Sequence, residues 1–209
     1  MTGKHTERLE AKVRNIKLYG SSFHCLKPRS WISDEVIDAY LSCVVEKADG
    51  KVQAISSVVS TVVLSGRAPQ MKVKSELLQN DISLLHYHTP DHWVLAIALM
   101  RKKELLIIDP LCDEMIYERT CLRNWRNFIK QLTRKSSSDW NSKIVQHPRQ
   151  SDGHSCGSLI LKKAWRTTAY TAALSTVKRK VRIARWSSVI LARGGHICPA
   201  FQKEPVKTT

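Results

Sequence analysis

Between Gln150 and Gly157 the chain reads Gln-Ser-Asp-Gly-His-Ser-Cys-Gly, which sets two nucleophiles side by side, Ser155 and Cys156. Gly153-His-Ser-Cys-Gly157 satisfies G-x-S-x-G, the strand-to-helix elbow of serine hydrolases, which needs a strand before the serine and then an acid and a histidine after it. The residues before Ser155 (His-Pro-Arg-Gln-Ser-Asp-Gly) read as a loop, and the histidine that follows, His196, lies in a basic stretch near the end. The elbow therefore lacks its context. A thiol at 156 asks for a histidine to take its proton and a third group to orient that histidine.

His92 and Asp109 are that pair. Trp93–Met100 is an apolar strand pattern, Arg101–Glu104 a charged turn, and Leu105–Ile108 a second strand closed by Asp109-Pro110. Such a run predicts a hairpin. With the reversal near Met100–Arg101, positions whose numbers sum to about 201 face each other, which sets His92 opposite Asp109. Cys156 falls where a loop becomes a helix, and a helix N-terminus with a nearby imidazolium favours thiolate over thiol. Gln150, upstream in the same loop, and the Cys156 backbone N–H are candidate donors to the oxyanion of a tetrahedral intermediate.

His86-Tyr-His88-Thr-Pro-Asp91-His92 comes close to the H-x-H-x-D-H cluster of metallo-hydrolases but is one residue too long. Alternating histidines on a half-buried strand are the plainer reading, and neither metal nor other cofactor is expected.

The elements around these residues follow from periodicity. Residues 1–15 read as polar and frayed, and Asn15–Tyr19 as a short strand. Ser33 can cap a helix whose first turn holds Asp34 and Glu35 and whose apolar face is Ile32, Val36, Ile37, Tyr40, Leu41 and Val44. Val52–Leu64 is rich in valine and serine and fits a strand or a buried helix; Asp81–Tyr87 fits a strand. Leu122–Leu132 is an amphipathic helix, Ile144–Val145 a short strand, and 146–155 a loop leading into the helix at Cys156. Helices and antiparallel strands in separate blocks predict an α+β fold.

A chain of 209 residues suits one domain with a tail. Its six cysteines are dispersed with no C-x-x-C pair, the first residues show no apolar leader, and the longest apolar run, Trp93–Met100, is too short to span a bilayer. Reduced thiols, a nuclear or cytoplasmic location and no membrane are therefore expected. The net charge of +16 is uneven: from Lys162 onward eleven Lys or Arg stand against Glu204 alone, a balance of +10. That favours acidic partners, nucleic acid among them, or serves as a solvated basic tail.

Four stretches, Trp31–Leu41 (WISDEVIDAYL), Asp91–Leu99 (DHWVLAIAL), Leu105–Leu111 (LLIIDPL) and Gln150–Gly157 (QSDGHSCG), match in order those of the ubiquitin-like-protein-specific cysteine proteases. The chain resembles this SUMO/sentrin-specific (Ulp/SENP-type) family, its transposon-associated members included. The resemblance implies a papain-like cysteine protease variant of the Ulp and adenain type, a central mixed or antiparallel sheet flanked by helices. It implies a domain over 16–192, with core motifs in 31–160, a polar segment 1–15 before it and a basic tail 193–209 after it. It implies a thiol protease or isopeptidase that cleaves a ubiquitin-like modifier, SUMO or a relative, after its C-terminal Gly-Gly. By position His92 is the base, Asp109 its orienter, Cys156 the nucleophile and Gln150 an oxyanion donor. Trp31 and Trp93 would wall a narrow tunnel for the Gly-Gly tail, and Asp34 would contact the modifier. Two departures stand out: Ser155 replaces the family's usual aspartate before the nucleophile, and the sequence after Ile160 is unusually basic where the family continues through apolar helices. Two other functions fit the same residues: a basic domain that binds modifier or nucleic acid without cleaving, and acyl transfer to hydroxyls by the same triad.

Overall fold

The computed structural model describes residues 7–46, 48, 50–67 and 79–173. The basic tail, and with it the expectation of nucleic-acid binding and the 193–209 boundary, lies outside the described residues. Among the described residues the order is β1 (Leu9–Val13), β2 (Ile16–Tyr19), a 3-10 turn (Ser21–Leu26), α1 (Asp34–Glu46), β3 (Val52–Ile55), α2 (Ser57–Leu64), β4 (Ile82–Thr89), β5 (His92–Leu99), β6 (Glu104–Ile108), α3 (Glu114–Thr133), β7 (Asn141–Ile144) and α4 (Cys156–Ala173).

Five of these strands form one mixed sheet in the order β3-β4-β5-β6-β7. β4, β5 and β6 run antiparallel in turn, while β3 joins β4 and β7 joins β6 in parallel. Each parallel join needs a crossover, and α2 and α3 supply the two. They pack against one another on one face of the sheet, and α1 packs against α4, which lies over β5.

β5 shows why the sheet is buried on both faces. Trp93, Leu95 and Ile97 point to the side of α1 and α4, while Val94, Ala96 and Ala98 point to the side of α2 and α3. Alternation of side chains along a strand divides one apolar run between two cores. The second core closes on Trp125, which meets Phe128 and Trp140 with ring centroids 5.6 and 5.3 Å away.

Three expectations change. Leu9–Val13, within the segment read as frayed, is a strand paired with β2. Its Leu-Glu-Ala-Lys-Val pattern is short and carries two charged residues in five, so the pairing partner rather than the propensity decides. Val52–Leu64 is neither one strand nor one helix but both, broken at Ser56. The valine-rich α2 is helical in spite of its composition because it is held at both ends. The Ser57 N–H donates to Asp38 Oδ1 at 3.0 Å, and Gly66, at φ +82°, ends the helix in the left-handed region. The hairpin register is also displaced: Leu95 pairs with Ile108 and Leu99 with Glu104, numbers summing to 203. The reversal covers Met100–Lys103, its centre one residue later than expected, with Lys103 at φ 54°. A displacement of two leaves every side chain on its expected face.

Leu95 is wholly buried in the central strand, and Leu95→Ala should lower the urea-unfolding free energy by about 2–5 kcal/mol. Met115, 79% exposed, should tolerate alanine within about 0.5 kcal/mol. Equal losses for the two would contradict this placement of the core.

Candidate active site

His92 opens β5 three residues before Leu95, and Asp109 follows Ile108, both beyond the last pair of the β5–β6 ladder. There the side chains, no longer spaced by the ladder, lean together: His92 Nε2 and Asp109 Oδ1 are 2.5 Å apart, both buried. The same oxygen accepts the Leu111 N–H at 2.9 Å, and the Asp109 carbonyl takes the Cys112 N–H at 2.7 Å, so the turn is closed around the carboxylate.

With Nε2 committed to Asp109, Nδ1 is the ring nitrogen left for a second partner. Cys156, the first residue of α4 and 2% exposed, lies beside this imidazole, near enough to act on its protonation. Burial alone would depress the imidazole's protonation. The bonds and charges of Asp109 and Cys156 outweigh it, and the His92 pKa rises from 6.5 to about 9. Asp109 is affected in the opposite sense: burial would raise it, but the bonds from His92 and the Leu111 backbone hold it below the usual carboxylate range. The buried Cys121 provides a contrast, a thiol without a charged neighbour that burial pushes up to about 12.

The loop before Cys156 is organised by Asp152. Its Oδ1 accepts the N–H groups of His154 and Ser155 at 2.9 and 2.7 Å and faces His154 Nδ1 at 2.8 Å. The Ser155 hydroxyl donates to Oδ2. Burial would raise this carboxyl too, yet the bonds from Ser155 and His154 hold it far below the carboxylate range. Ser155, the rival nucleophile, is thus tied to an aspartate, and its carbonyl begins α4 by accepting the Leu159 N–H at 3.0 Å. Gln150 is brought into the same loop, but its Nε2 donates to the Asp152 carbonyl at 2.6 Å, and its buried Oε1 has no hydrogen-bond partner. The donor expected at the oxyanion is therefore turned toward Asp152 here.

Trp31, Asp34 and Trp93 come together around one cleft of about 520 Å³, whose far wall is α2 at Val58, Thr61 and Val62. Trp93 is buried on its floor, while Trp31 is 41% exposed at its rim. The Trp93 Nε1–H donates to the Ile32 carbonyl at 3.0 Å, and His88 lies against the ring at 4.4 Å. Gly157 lets α4 approach this floor: a Cβ there would meet Ile32 Cβ at 3.1 Å and Trp93 Cδ1 at 3.5 Å.

His86 is fully buried with Nε2 2.7 Å from Asp38 Oδ1, while His88 faces Trp93 and His92 faces Asp109. The three histidines do not converge, and no metal-holding group of three His, Cys, Asp or Glu side chains occurs among the described residues. The five described cysteines are free thiols. Sequence reasoning missed Asp152, Gly157 and Ile32; of these, Asp-Gly before the nucleophile carries a turn signal that could have marked the first.

No family model matches the chain. Among curated proteins it is similar to the putative ubiquitin-like-specific protease 1B of Arabidopsis thaliana, 25% identical over 72% of this chain and 50% of that protein. It is also similar to a sentrin-specific protease of Caenorhabditis elegans, 27% identical over 61% of this chain and 20% of that protein. The chain thus spans half or less of the length of these relatives. Among solved structures it superposes on the C-terminal Ulp1 protease domain in complex with SMT3, the yeast ortholog of SUMO. That match has a TM-score of 0.67 and 20% identity and covers 78% of this chain and 77% of that one. The resemblance to the ubiquitin-like-specific protease family is one of sequence and of fold alike, and the α+β fold with a mixed central sheet is that of the Ulp1 protease domain.

A raised imidazole pKa has a readable sign. Protonated His92 stabilises the fold fully below its unfolded pKa of about 6.5, and that contribution is lost as pH rises through about 9. An NMR titration should place the His92 midpoint near 9, and Asp109→Asn should move it toward 6.5. A midpoint near 6.5 in the unaltered protein would contradict the His92–Asp109–Cys156 geometry.

Proposed function

We propose that the chain is a cysteine-type peptidase that cleaves a ubiquitin-like modifier, SUMO or a relative, after its C-terminal Gly-Gly. The observation that carries this is the buried His92–Asp109 pair with Cys156 beside the imidazole, next to a cleft floored by Trp93. At neutral pH a histidine with a pKa of about 9 is protonated, and an imidazolium beside a thiol favours the thiolate as the attacking form.

The thiolate attacks the glycyl carbonyl carbon and its electron pair forms the carbon–sulfur bond. The oxyanion meets the Cys156 N–H at the start of α4, with the Gln150 amide swinging away from Asp152 to join it. His92 gives its proton to the leaving amine as the carbon–nitrogen bond breaks. It then takes a proton from water, whose oxygen attacks the thioester and releases Cys156. Asp109 holds the ring in one orientation throughout. Trp31 and Trp93 select a tail without side chains, and Asp34 at the rim contacts the modifier. The curated relatives are named for ubiquitin-like modifiers, and the Ulp1 domain carries SMT3 in its complex, which supports a modifier as partner. No helix among the described residues is long and apolar enough to cross a membrane, and action in the nucleus or cytoplasm suits such substrates.

Cys156→Ser should abolish hydrolysis of a fluorogenic modifier C-terminal amide, whereas Ser155→Ala should keep most of it; the reverse pattern would restore the serine elbow. With the active protein, replacing either terminal glycine of the modifier by alanine should lower kcat/KM on the order of 10²-fold, the cost of a misplacement of about 1 Å. Equal turnover of Gly-Gly and Gly-Ala tails would rule out the tunnel.

A further inference from the structure

The turn after β6 carries Asp109, and segment 145–150 carries Gln150, yet no regular secondary structure joins the two past Ile144. Glu114, the first residue of α3 and 5% exposed, reaches both. Its Oε1 accepts the Asp109 backbone N–H at 3.2 Å and lies 2.6 Å from His147 Nε2. The two side chains are only 7% and 3% exposed, so each polar head depends on the other for the hydrogen bond that water would have supplied. His147 is anchored to its own segment through Nδ1, 3.1 Å from the Pro148 carbonyl. A main-chain bond runs alongside, from the Gln150 N–H to the Pro110 carbonyl at 2.7 Å. One buried carboxylate therefore holds the backbone of the residue that orients His92 and the ring three positions before Gln150.

We propose that Glu114 and His147 are positioning residues of the active site, a buried clamp that sets the Asp109 turn against the Gln150 segment. This rests on the cysteine-peptidase reading. Neither side chain is hydrogen-bonded to His92 or Cys156, so the pair acts through Asp109 on one side and Gln150 on the other. A shift of about 1 Å between those two groups moves the imidazole and the oxyanion donor out of register with a single reacting carbon, and costs on the order of 10²-fold in rate. Substrate binding, at the Trp31 and Trp93 cleft, is untouched by such a shift.

The test uses the full chain with Glu114→Ala, Glu114→Gln, His147→Ala and the double alanine variant. Two readouts are taken: steady-state hydrolysis of a fluorogenic modifier substrate, and iodoacetamide alkylation of Cys156 followed by peptide mass mapping. Each alanine variant should lower kcat at least about tenfold with KM within about twofold. Glu114→Gln, which keeps an acceptor oxygen at the same place, should recover most of that loss. The double variant should be no worse than the worse single one, as expected of two halves of one interaction. Glu114→Ala should also slow Cys156 alkylation several-fold, because His92 loses its fixed orientation.

A loss confined to KM, an additive double variant, or Glu114→Gln as impaired as Glu114→Ala would overturn the clamp. If Glu114→Ala melts below the assay temperature, His147→Ala decides: a tenfold kcat loss upholds the clamp and an unchanged kcat overturns it. If the unaltered chain hydrolyses no modifier substrate but Glu114→Ala still slows alkylation, the clamp stands and the peptidase reading falls. Normal turnover with both readouts indifferent to Glu114→Ala leaves the peptidase reading and removes the clamp.

Discussion

The contact between His92 and Asp109 sits at a place where the backbone has stopped doing the work of pairing. Through Leu95 and Ile108 the ladder spaces β5 and β6; beyond it, two polar side chains must find each other inside a protein that has excluded water. A carboxylate and an imidazole stripped of solvent are costly apart and stable together, which makes their separation of 2.5 Å a constraint on everything nearby. The turn from Asp109 to Asp113 folds back on itself so that the Leu111 N–H meets the same carboxylate oxygen that faces His92. α3 begins where it does because Glu114 completes that turn, and α4 must bring its first residue to the remaining face of the ring.

The layers of the fold serve the same end. β5 is the middle strand of five, with helices over both faces, and His92 stands at its first position. Cys156 comes from the opposite kind of element, the free end of a helix, whose first N–H groups have no partner within the helix. Asp152 takes two N–H groups of the approach loop, at His154 and Ser155, and leaves that of Cys156 outside its reach. Gly157 then allows α4 to lie against Trp93 and Ile32 at a distance no other residue type tolerates without displacement.

What was legible in the sequence was whatever periodicity or chain order could carry. His92 and Asp109 could be paired because a hairpin has a parity, and a register error of two residues keeps it. Cys156 could be placed because a loop rich in turn formers gives way to an apolar helical pattern. The direction of the Gln150 amide was not legible, because a hydrogen bond two residues away decides it and no pattern encodes that choice. The Glu114–His147 contact spans 33 positions and two irregular segments, and such pairs become visible only when tertiary folding brings them together. β1 escaped notice for a related reason, being too short and too charged to announce itself without its partner. α2 did so because valine favours strands wherever capping and packing do not overrule it.

Cys156 and His92 are separated by 64 positions, and in chain order α4 comes after both parallel crossovers. Parallel and long-range pairings of this kind are late and slow to form, because their loop entropy must be met before their contacts return anything. Until then Cys156 has no imidazole beside it and is chemically one thiol among six. The Cys156–His92 pairing therefore exists only in the completed fold, and local unfolding of α4 takes the thiol away from its imidazole again.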